Sequence, residues 1–269
     1  MNLLEIRTET RRLMAETNPS ASYASDADIN KFINEGIKDM CIKAGVLERT
    51  KSATLLSGTA SYLLSWDFLE DIAFLNPNKI SLTRIDPSNL GGVYIIAGKP
   101  LYYYITQSIT LYTTRVDSSA YTLTSLITLT TPNGHLYECT TAGTTASSQP
   151  TFTVVPGSTT IDGSVIWTCR EFFTRQYAIV LYDTPTTAGG GTGTYTLIYK
   201  ALDEGLYVDT DSPNFPLDKH HSLIPYACHR WAVQAKDLTL AAAFLTDYSA
   251  GLGLSTPGSS MPARGAQPT

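Results

Sequence analysis

Four side chains near the start of the last predicted helix are of types that bind Zn²⁺: His220, His221, Cys228 and His229. Cys228 and His229 follow His221 by seven and eight positions, so a helix would place these three near one face. A zinc site needs three or four convergent ligands, and no carboxylate at a suitable spacing completes this one. We therefore predict a polar helix surface with a buried thiol, and neither a metal site nor a cofactor.

Two further segments resemble ligand loops only in part. The glycine run at residues 189–193 lacks the Lys followed by Ser or Thr, at a helix start, that a phosphate loop requires. Residues 209–211 (DTD) begin like a calcium loop, but Pro213 and Pro216 interrupt it and no bidentate Glu follows at the proper distance. A loop between strands and a turn before a helix are the respective predictions. The sequence also has no G-x-S-x-G or S-x-x-K pattern, so we predict that the chain is not an enzyme.

The composition favours a protein with much neutral surface. Of the 269 residues, 43% are hydrophobic and 16% charged, against about 25% charged in an average soluble protein. The 16 Tyr suit subunit interfaces, although Tyr also simply favours strands. A net charge of −5 argues against a surface that grips duplex DNA. No apolar stretch of about 18 residues occurs, and charges near Met1 oppose a signal peptide. We therefore expect no membrane association and synthesis in a cytoplasm.

The four cysteines do not form a recognisable metal or redox motif. Cys41 and Cys228 fall on predicted helices, where a small buried thiol is the ordinary case. Cys139 and Cys169 occupy similar places in two short predicted strands and could face each other, but a cytosolic disulfide is uncommon. Whether Cys139 and Cys169 pair is left open.

Helix patterns occur at the two ends of the chain. A first helix is predicted near residues 3–16. A second, near residues 26–45, begins with Ser25 and Asp28 as a capping box and ends at Gly45. A third helical region covers residues 217–252, with a break at Asp237.

Between these helices the periodicity is that of β-strands. Segments 52–57 and 60–64 are predicted to form a hairpin around Ser57-Gly58, and a strand is predicted at residues 93–97. Residues 116–173 are rich in Thr and Ser and nearly lack Lys and Arg, which indicates an inserted unit. We predict an α+β fold. The framework comprises residues 1–115 and 174–254, in which the terminal helices pack as a small bundle with a β part. Residues 116–173 are predicted to form an inserted all-β, Ig-like sandwich. Residues 255–269 are predicted to form an extended tail.

The framework resembles the head-to-tail adaptor (connector) proteins of tailed bacteriophages over most of the chain outside the insertion. The resemblance lies in residues 4–7 (LEIR), 26–36 (DADINKFINEG), 100–105 (PLYYYI), 179–185 (IVLYDTP), 195–202 (YTLIYKAL), 209–216 (DTDSPNFP) and 220–227 (HHSLIPYA). It implies a virion protein that forms a ring of twelve copies under the portal protein, contacts a tail nozzle or tail-tube protein, and continues the DNA channel without specific binding of DNA. It also implies that the tail reaches into the portal, with Met261, Pro262 and Arg264 as the expected contacts.

The insertion resembles a small β cassette of phage structural proteins that is similar to carbohydrate-binding modules. The matching residues are 137–152 (YECTTAGTTASSQPTF) and 161–169 (IDGSVIWTC). Tyr137, Phe152 and Trp167 are predicted to form the core of this unit, because so small a domain needs its aromatic rings inside. The alternative role for these rings is glycan contact, which would make the chain a phage tail or decoration protein.

Overall fold

The computed structural model describes residues 1–17, 24–108, 112–171 and 176–254, and it combines helices with several β-sheets. The helices are α1 (Leu3–Thr17), α2 (Asp26–Ala44), α3 (Leu217–His220), α4 (Leu223–Gln234) and α5 (Leu238–Leu252), with a 3₁₀ helix at Pro87–Gly92. The first strands are β1 (Glu48–Leu55), β2 (Ser61–Leu63), β3 (Phe68–Leu75), β4 (Thr83–Arg84) and β5 (Tyr102–Ser108). The later strands are β6 (Thr113–Thr114), β7 (Ala120–Tyr121), β8 (Leu126–Thr128), β9 (His135–Thr141), β10 (Gly143–Thr144), β11 (Thr159–Asp162), β12 (Val165–Glu171), β13 (Gln176–Tyr182) and β14 (Gly193–Ala201).

The chain divides into two compact units. One contains residues 1–47 and 208–269 and holds the α-helices, and the other contains residues 48–207 and holds the strands and the 3₁₀ helix. This division separates helices from strands, whereas the predicted boundaries separate a framework (1–115 and 174–254) from an insertion (116–173). The insertion and its bounds therefore remain a prediction.

Helix α2 has the ends that its sequence predicts. The Ser25 hydroxyl accepts a hydrogen bond from the Asp28 amide at 3.1 Å, and the Asp28 carboxylate accepts one from the Ser25 amide at 3.2 Å. Gly45 ends the helix with φ 57°, a left-handed conformation that suits glycine. Seven residues at helical spacing form its buried face: Ile29, Phe32, Ile33, Gly36, Ile37, Met40 and Cys41.

Within the helical unit, segments from the two ends of the chain are in direct contact. At Gly36 a side chain would begin 2.8 Å from the Tyr226 ring, so α2 and α4 approach closely there. Tyr248 of α5 donates a hydrogen bond to Asp39 of α2 at 2.7 Å, and Arg7 of α1 binds Asp209 at 2.9 Å. The break predicted at Asp237 is confirmed, because its carboxylate caps α5 by accepting from the Leu240 amide at 3.0 Å.

Two sheets form the first part of the β unit. One has the strand order β1-β14-β3 and the other the order β2-β13-β5-β4. Aromatic rings join them, with Phe68 against Tyr177 at 5.8 Å and Phe74 against Tyr103 at 5.5 Å between ring centroids. The predicted hairpin of 52–57 with 60–64 is wrong, because β1 pairs with β14 and β2 pairs with β13 in the other sheet. Ser57-Gly58 turns the chain from one sheet to the other. The predicted strand at 93–97 is wrong, because residues 93–95 lie outside helices and strands and Ile96 makes only an isolated bridge to Lys99.

Strands β6 to β12 pair with one another rather than with the first two sheets. In the described residues their orders are β11-β12-β9-β8-β6 and β10-β7. They enclose a core of their own, made of Ile127, Leu129, Tyr137, Cys139, Phe152, Val165, Trp167 and Cys169, with Tyr121 packed against it.

Candidate functional site

The histidines and the cysteine near the last helices do not share a site: His220, Cys228 and His229 have separate partners, and His221 is exposed. His220 is buried, and its Nε2 lies 2.9 Å from the Phe215 carbonyl. The Nδ1 of His229 lies 2.8 Å from the Ala241 carbonyl, and burial raises the pKa of the Cys228 thiol to about 12. Over the described ranges, no group of three or more His, Cys, Asp or Glu side chains could hold a metal ion.

The segment that resembles the start of a calcium loop forms a local turn. The Asp211 carboxylate accepts a hydrogen bond from the Val208 amide at 2.9 Å, and Asp209 is engaged by Arg7. The Asp211 carbonyl accepts from the Leu3 amide at 2.8 Å, which fixes the start of α1 against this turn. The turn therefore contacts α1 through the Asp209 carboxylate and the Asp211 carbonyl.

The glycine run lies in the connection between β13 and β14, as predicted, and has a steric role. A side chain on Gly189 would begin 2.5 Å from the Ala97 carbonyl oxygen, and one on Gly191 would begin 2.1 Å from the Gly98 carbonyl oxygen. The Thr186 amide donates to the Gly98 carbonyl at 2.8 Å. The glycines therefore let this connection lie directly against residues 97–98.

Tyr137, Phe152 and Trp167 lie together in the core of β6 to β12. Tyr137 and Phe152 meet edge to face at 4.6 Å between centroids, and Trp167 and Tyr137 are fully buried. The Tyr137 hydroxyl donates to the Thr153 carbonyl at 2.8 Å, and the Trp167 indole donates to Asp162 at 3.1 Å. The rings of Tyr137 and Trp167 are therefore enclosed in this core, and Phe152 keeps 7% of its surface exposed.

A buried ion pair that the sequence analysis did not find lies beside this core. Arg115 donates to Asp162 and Asp117, and also to the carbonyls of Ala146 and Ser148 at 3.0 and 3.2 Å. Asp162 also accepts from the Ala146 amide at 3.0 Å. Burial would raise the pKa of the Asp162 carboxyl, but these donors outweigh it and hold that pKa below its usual 3.8. The sequence offered only a weak signal, because Arg115 stands directly before the segment 116–173 that nearly lacks basic residues.

Cys139 and Cys169 are free and buried. Cys139 lies opposite Trp167 in the strand register, and Cys169 lies opposite Tyr137, so the two cysteines are not cross-strand neighbours. Burial raises the pKa of Cys139, and it raises that of Cys169 to about 11, against a small opposing effect of the Tyr137 hydroxyl. Both thiols therefore act as core side chains.

A cavity of about 350 Å³ lies within the β unit, where residues 51–66 face residues 112–138. Its walls include Lys51, Trp66, Tyr121 and Glu138. The Arg170 guanidinium stacks on Trp66 at 5.3 Å from the ring centroid and donates to Glu138 at 2.9 Å. Arg170 also forms an ion pair with Glu204 and so ties β9 and β12 to the segment after β14.

The expected portal contacts Met261, Pro262 and Arg264 lie outside the described residues, as does the whole predicted tail 255–269. In the part of the chain that the structure describes, no helix is long and apolar enough to cross a membrane.

The comparisons identify a class of structural proteins. The family model described as SU10 adaptor protein matches residues 1–136, slightly more than half of the chain. The matched region contains α1, α2 and β1 to β8. The chain therefore belongs to the SU10 adaptor family, a family of phage structural adaptor proteins. No curated protein matches the sequence.

Proposed function

We propose that this chain joins the phage portal to the tail and continues the DNA channel as an oligomeric ring of about twelve copies at the head–tail interface. The observation that carries the proposal is the adaptor family match over residues 1–136. The helical unit supports it, because segments from both ends of the chain pack into one compact unit and the strands form another. Assembly takes place in the host cytoplasm before the particle is released.

The outer face of α5 supports contact between neighbouring copies. This 15-residue helix carries a single charged side chain, Asp247, and its outer face exposes Leu238 and Leu245. A solvent-facing helix of a monomer normally presents many charged residues there. Changing Leu238 and Leu245 to Glu should give a folded protein that sediments as a monomer instead of a ring. The matched change of Val154 to Glu, at an exposed site in the β unit, should leave ring formation intact.

The net charge of −5 per copy suits a channel that lets DNA slide. Neutralising phosphates with Lys and Arg would hold DNA in place, whereas a ring of acidic subunits repels it. The protein accordingly contributes to DNA ejection by enclosing the path of the genome.

The tail 255–269 is the proposed portal contact, through Met261, Pro262 and Arg264. Its Pro, Gly, Ser and Ala content cannot build a core, so order must come from a partner. A chain that ends at Leu254 should keep its helical circular dichroism and bind isolated portal rings more weakly. Equal portal binding by the truncated and full chains would exclude this role.

Strands β7 to β12 support an inserted Ig-like sandwich at 116–173, because they pair with one another and with β6 just before this range, and share one core. Replacing 116–173 with a short linker should leave the α1, α2, α4 and α5 helices folded. Loss of the helical circular dichroism signal would show that this segment is part of the framework. The terminal helices are proposed to form the small bundle that remains.

The central test uses phage whose copy of this gene is stopped. Particles without the protein should package DNA, fail to gain tails and lose their genome. The competing function is a tail or decoration protein that binds host glycans through the insertion, and it predicts complete tails with a defect only in host attachment. The burial of Tyr137, Phe152 and Trp167 speaks against that alternative.

A further inference from the structure

The cavity of about 350 Å³ in the β unit has a charged side chain on each of its two walls. Its first wall comes from residues 51–66 and carries Lys51, and its second wall comes from residues 112–138 and carries Glu138. Lys51 is partly buried, and within the described part of the chain its ammonium forms no hydrogen bond or ion pair. A cation that leaves water without gaining an anion is unfavourable, so this site favours a negatively charged group from outside the chain.

The Glu138 carboxylate keeps one oxygen for a further contact. Arg170 donates to its Oε2 at 2.9 Å, whereas its Oε1 accepts no hydrogen bond from any residue that the structure describes. Arg170 also forms an ion pair with Glu204. One guanidinium is thus shared between two carboxylates, which leaves one negative charge without compensation. The second wall therefore favours a positively charged group.

Between these two charges the cavity has aromatic and apolar walls that are held in place from behind. The Trp66 ring is stacked by the Arg170 guanidinium at 5.3 Å from its centroid. The Tyr121 ring packs edge to face on Trp167 at 5.0 Å between centroids, and its hydroxyl accepts a hydrogen bond from the Val116 amide at 3.0 Å. Because these contacts fix both rings, the cavity is formed before a ligand arrives, which lowers the cost of binding.

The turn that carries part of the second wall is strained. Thr124 lines the cavity with φ 66°, a left-handed conformation that a β-branched residue rarely adopts. Its amide donates to the Cys139 carbonyl at 2.9 Å, and the Ser125 amide donates to the Thr122 carbonyl at 3.2 Å, so the turn is held in this form. Backbone strain of this kind concentrates where proteins hold ligands.

The chemistry of the walls selects the ligand. A phosphate-bearing ligand would bring only negative charge to Glu138, and a neutral sugar would leave Lys51 and Glu138 without partners. The volume is near the lower end of the range for small-molecule sites, about 300–1,000 Å³, which suits a small molecule. A carboxylate, an ammonium group and an apolar body in one small molecule satisfy both charges and the rings. An α-amino acid has these three parts.

We propose that this cavity binds a free α-amino acid with a large apolar side chain. Its carboxylate contacts Lys51, its ammonium group contacts Glu138, and its side chain packs on Trp66 and Tyr121. The ligand bridges the two walls and stabilises the folded β unit, because it binds the native state and not the unfolded chain. This inference goes beyond the proposed function and does not depend on it.

The experiment titrates the full-length protein with L-phenylalanine and measures the heat of binding. Two probes with the same ring serve as controls, because hydrocinnamate lacks the ammonium group and phenethylamine lacks the carboxylate. We expect phenylalanine to bind at least about 10-fold more tightly than either, since each loses one charge-assisted hydrogen bond. N-acetylphenylalanine amide represents the same residue inside a polypeptide and should bind most weakly. Tighter binding of this probe than of phenylalanine would show that the cavity takes a protein segment and would overturn the proposal.

Two variants assign the contacts to single residues. Lys51→Met should weaken phenylalanine binding by about 10-fold and leave phenethylamine binding unchanged, because only the carboxylate loses its partner. Glu138→Gln should weaken phenylalanine binding by a similar factor and leave hydrocinnamate binding unchanged, and its amide oxygen can still accept from Arg170. Lys31→Met, at an exposed site on α2, is the matched control and should bind phenylalanine like the wild-type protein.

Three results would overturn the proposal: no saturable binding of phenylalanine, equal affinity for phenylalanine and its two charged analogues, or unchanged phenylalanine affinity in both Lys51→Met and Glu138→Gln. The melting temperature of each variant without ligand shows whether it is folded. The ranking of the four probes is measured on the wild-type protein, so it decides the matter even where a variant fails to fold. Phenylalanine should also raise the melting temperature of the wild-type protein.

Discussion

Arg115 donates to the two carboxylate oxygens of Asp162 at 2.7 and 2.8 Å, and both side chains are buried. Arg115 is in the segment that leads into the predicted insertion, and Asp162 ends β11. The pair therefore fastens the beginning of this β structure to a strand that follows 47 positions later.

Removing the cation should leave the Asp162 carboxylate buried and unpaired. We expect Arg115→Met to lower the free energy of unfolding of the β unit by about 3–5 kcal/mol. Arg12→Met is the control, because Arg12 pairs with Glu9 on an exposed helix surface, where the loss should be under about 1 kcal/mol. Urea unfolding followed by tryptophan fluorescence measures both. Similar losses in the two variants would contradict a special role for the buried pair.

The same pair predicts a pH dependence. The folded-state pKa of Asp162 lies below the usual 3.8, so its stabilising effect is fully present above that value and is lost as the pH falls through the folded pKa. Asp162→Asn should be much less stable than the wild-type protein at pH 7, and the difference in unfolding free energy should shrink below pH 3.8. A difference that stays constant down to pH 2 would show that Asp162 is not the titrating group.

The close packing of the glycine run predicts that the same change, Gly→Ala, destabilises the protein at one position and not at another. Gly191→Ala places a Cβ against the Gly98 carbonyl and should cost about 1–3 kcal/mol of unfolding free energy. Gly92→Ala meets no atom within 4 Å and should change the stability by less than about 0.5 kcal/mol. Thermal unfolding of both variants tests this. If Gly191→Ala is as mild as Gly92→Ala, the glycine run is only a linker.

The buried thiols should be inert while the protein is folded. With the pKa of Cys169 near 11, only about a thousandth of this thiol is ionised at pH 8. A thiol reagent should react slowly with the native protein and rapidly with all four cysteines in urea, and the intact mass should show four free thiols. A mass two hydrogens lighter, with peptides joining Cys139 to Cys169, would mean that the strands pair differently.

Local signals in the sequence predicted the helices well. At α2, Ser25, Asp28 and Gly45 act through residues next to them in the chain, so the ends follow from the sequence alone. The prediction of a hairpin at Ser57-Gly58 was wrong because strand pairing depends on residues far away in the chain. The strands on either side look alike from their composition, and their actual partners β14 and β13 lie more than a hundred positions away.

The candidate surfaces were harder to predict than the folded elements. Residues 93–96 have the β-branched and aromatic side chains of a strand, but Asp86 and the glycine run hold them outside the sheet. Composition identified the low charge of the chain, but it could not show which uncharged residues remain uncovered. Arg115 was missed because four of its five acceptor atoms, on Ala146, Ser148 and Asp162, lie at least 31 positions away in the chain.

The contact between Arg7 and Asp209 joins residues 202 positions apart. A ribosome makes about 5–20 residues each second, so α1 and α2 must wait roughly 10 seconds or more before α4 and α5 exist to cover them. During that time their apolar faces are open to chaperones, while the β unit can already fold. Chains that are cut short before α4 lack the helix that packs on α1 and α2. Completion of the helical unit therefore depends on the last segment of the chain to be synthesised.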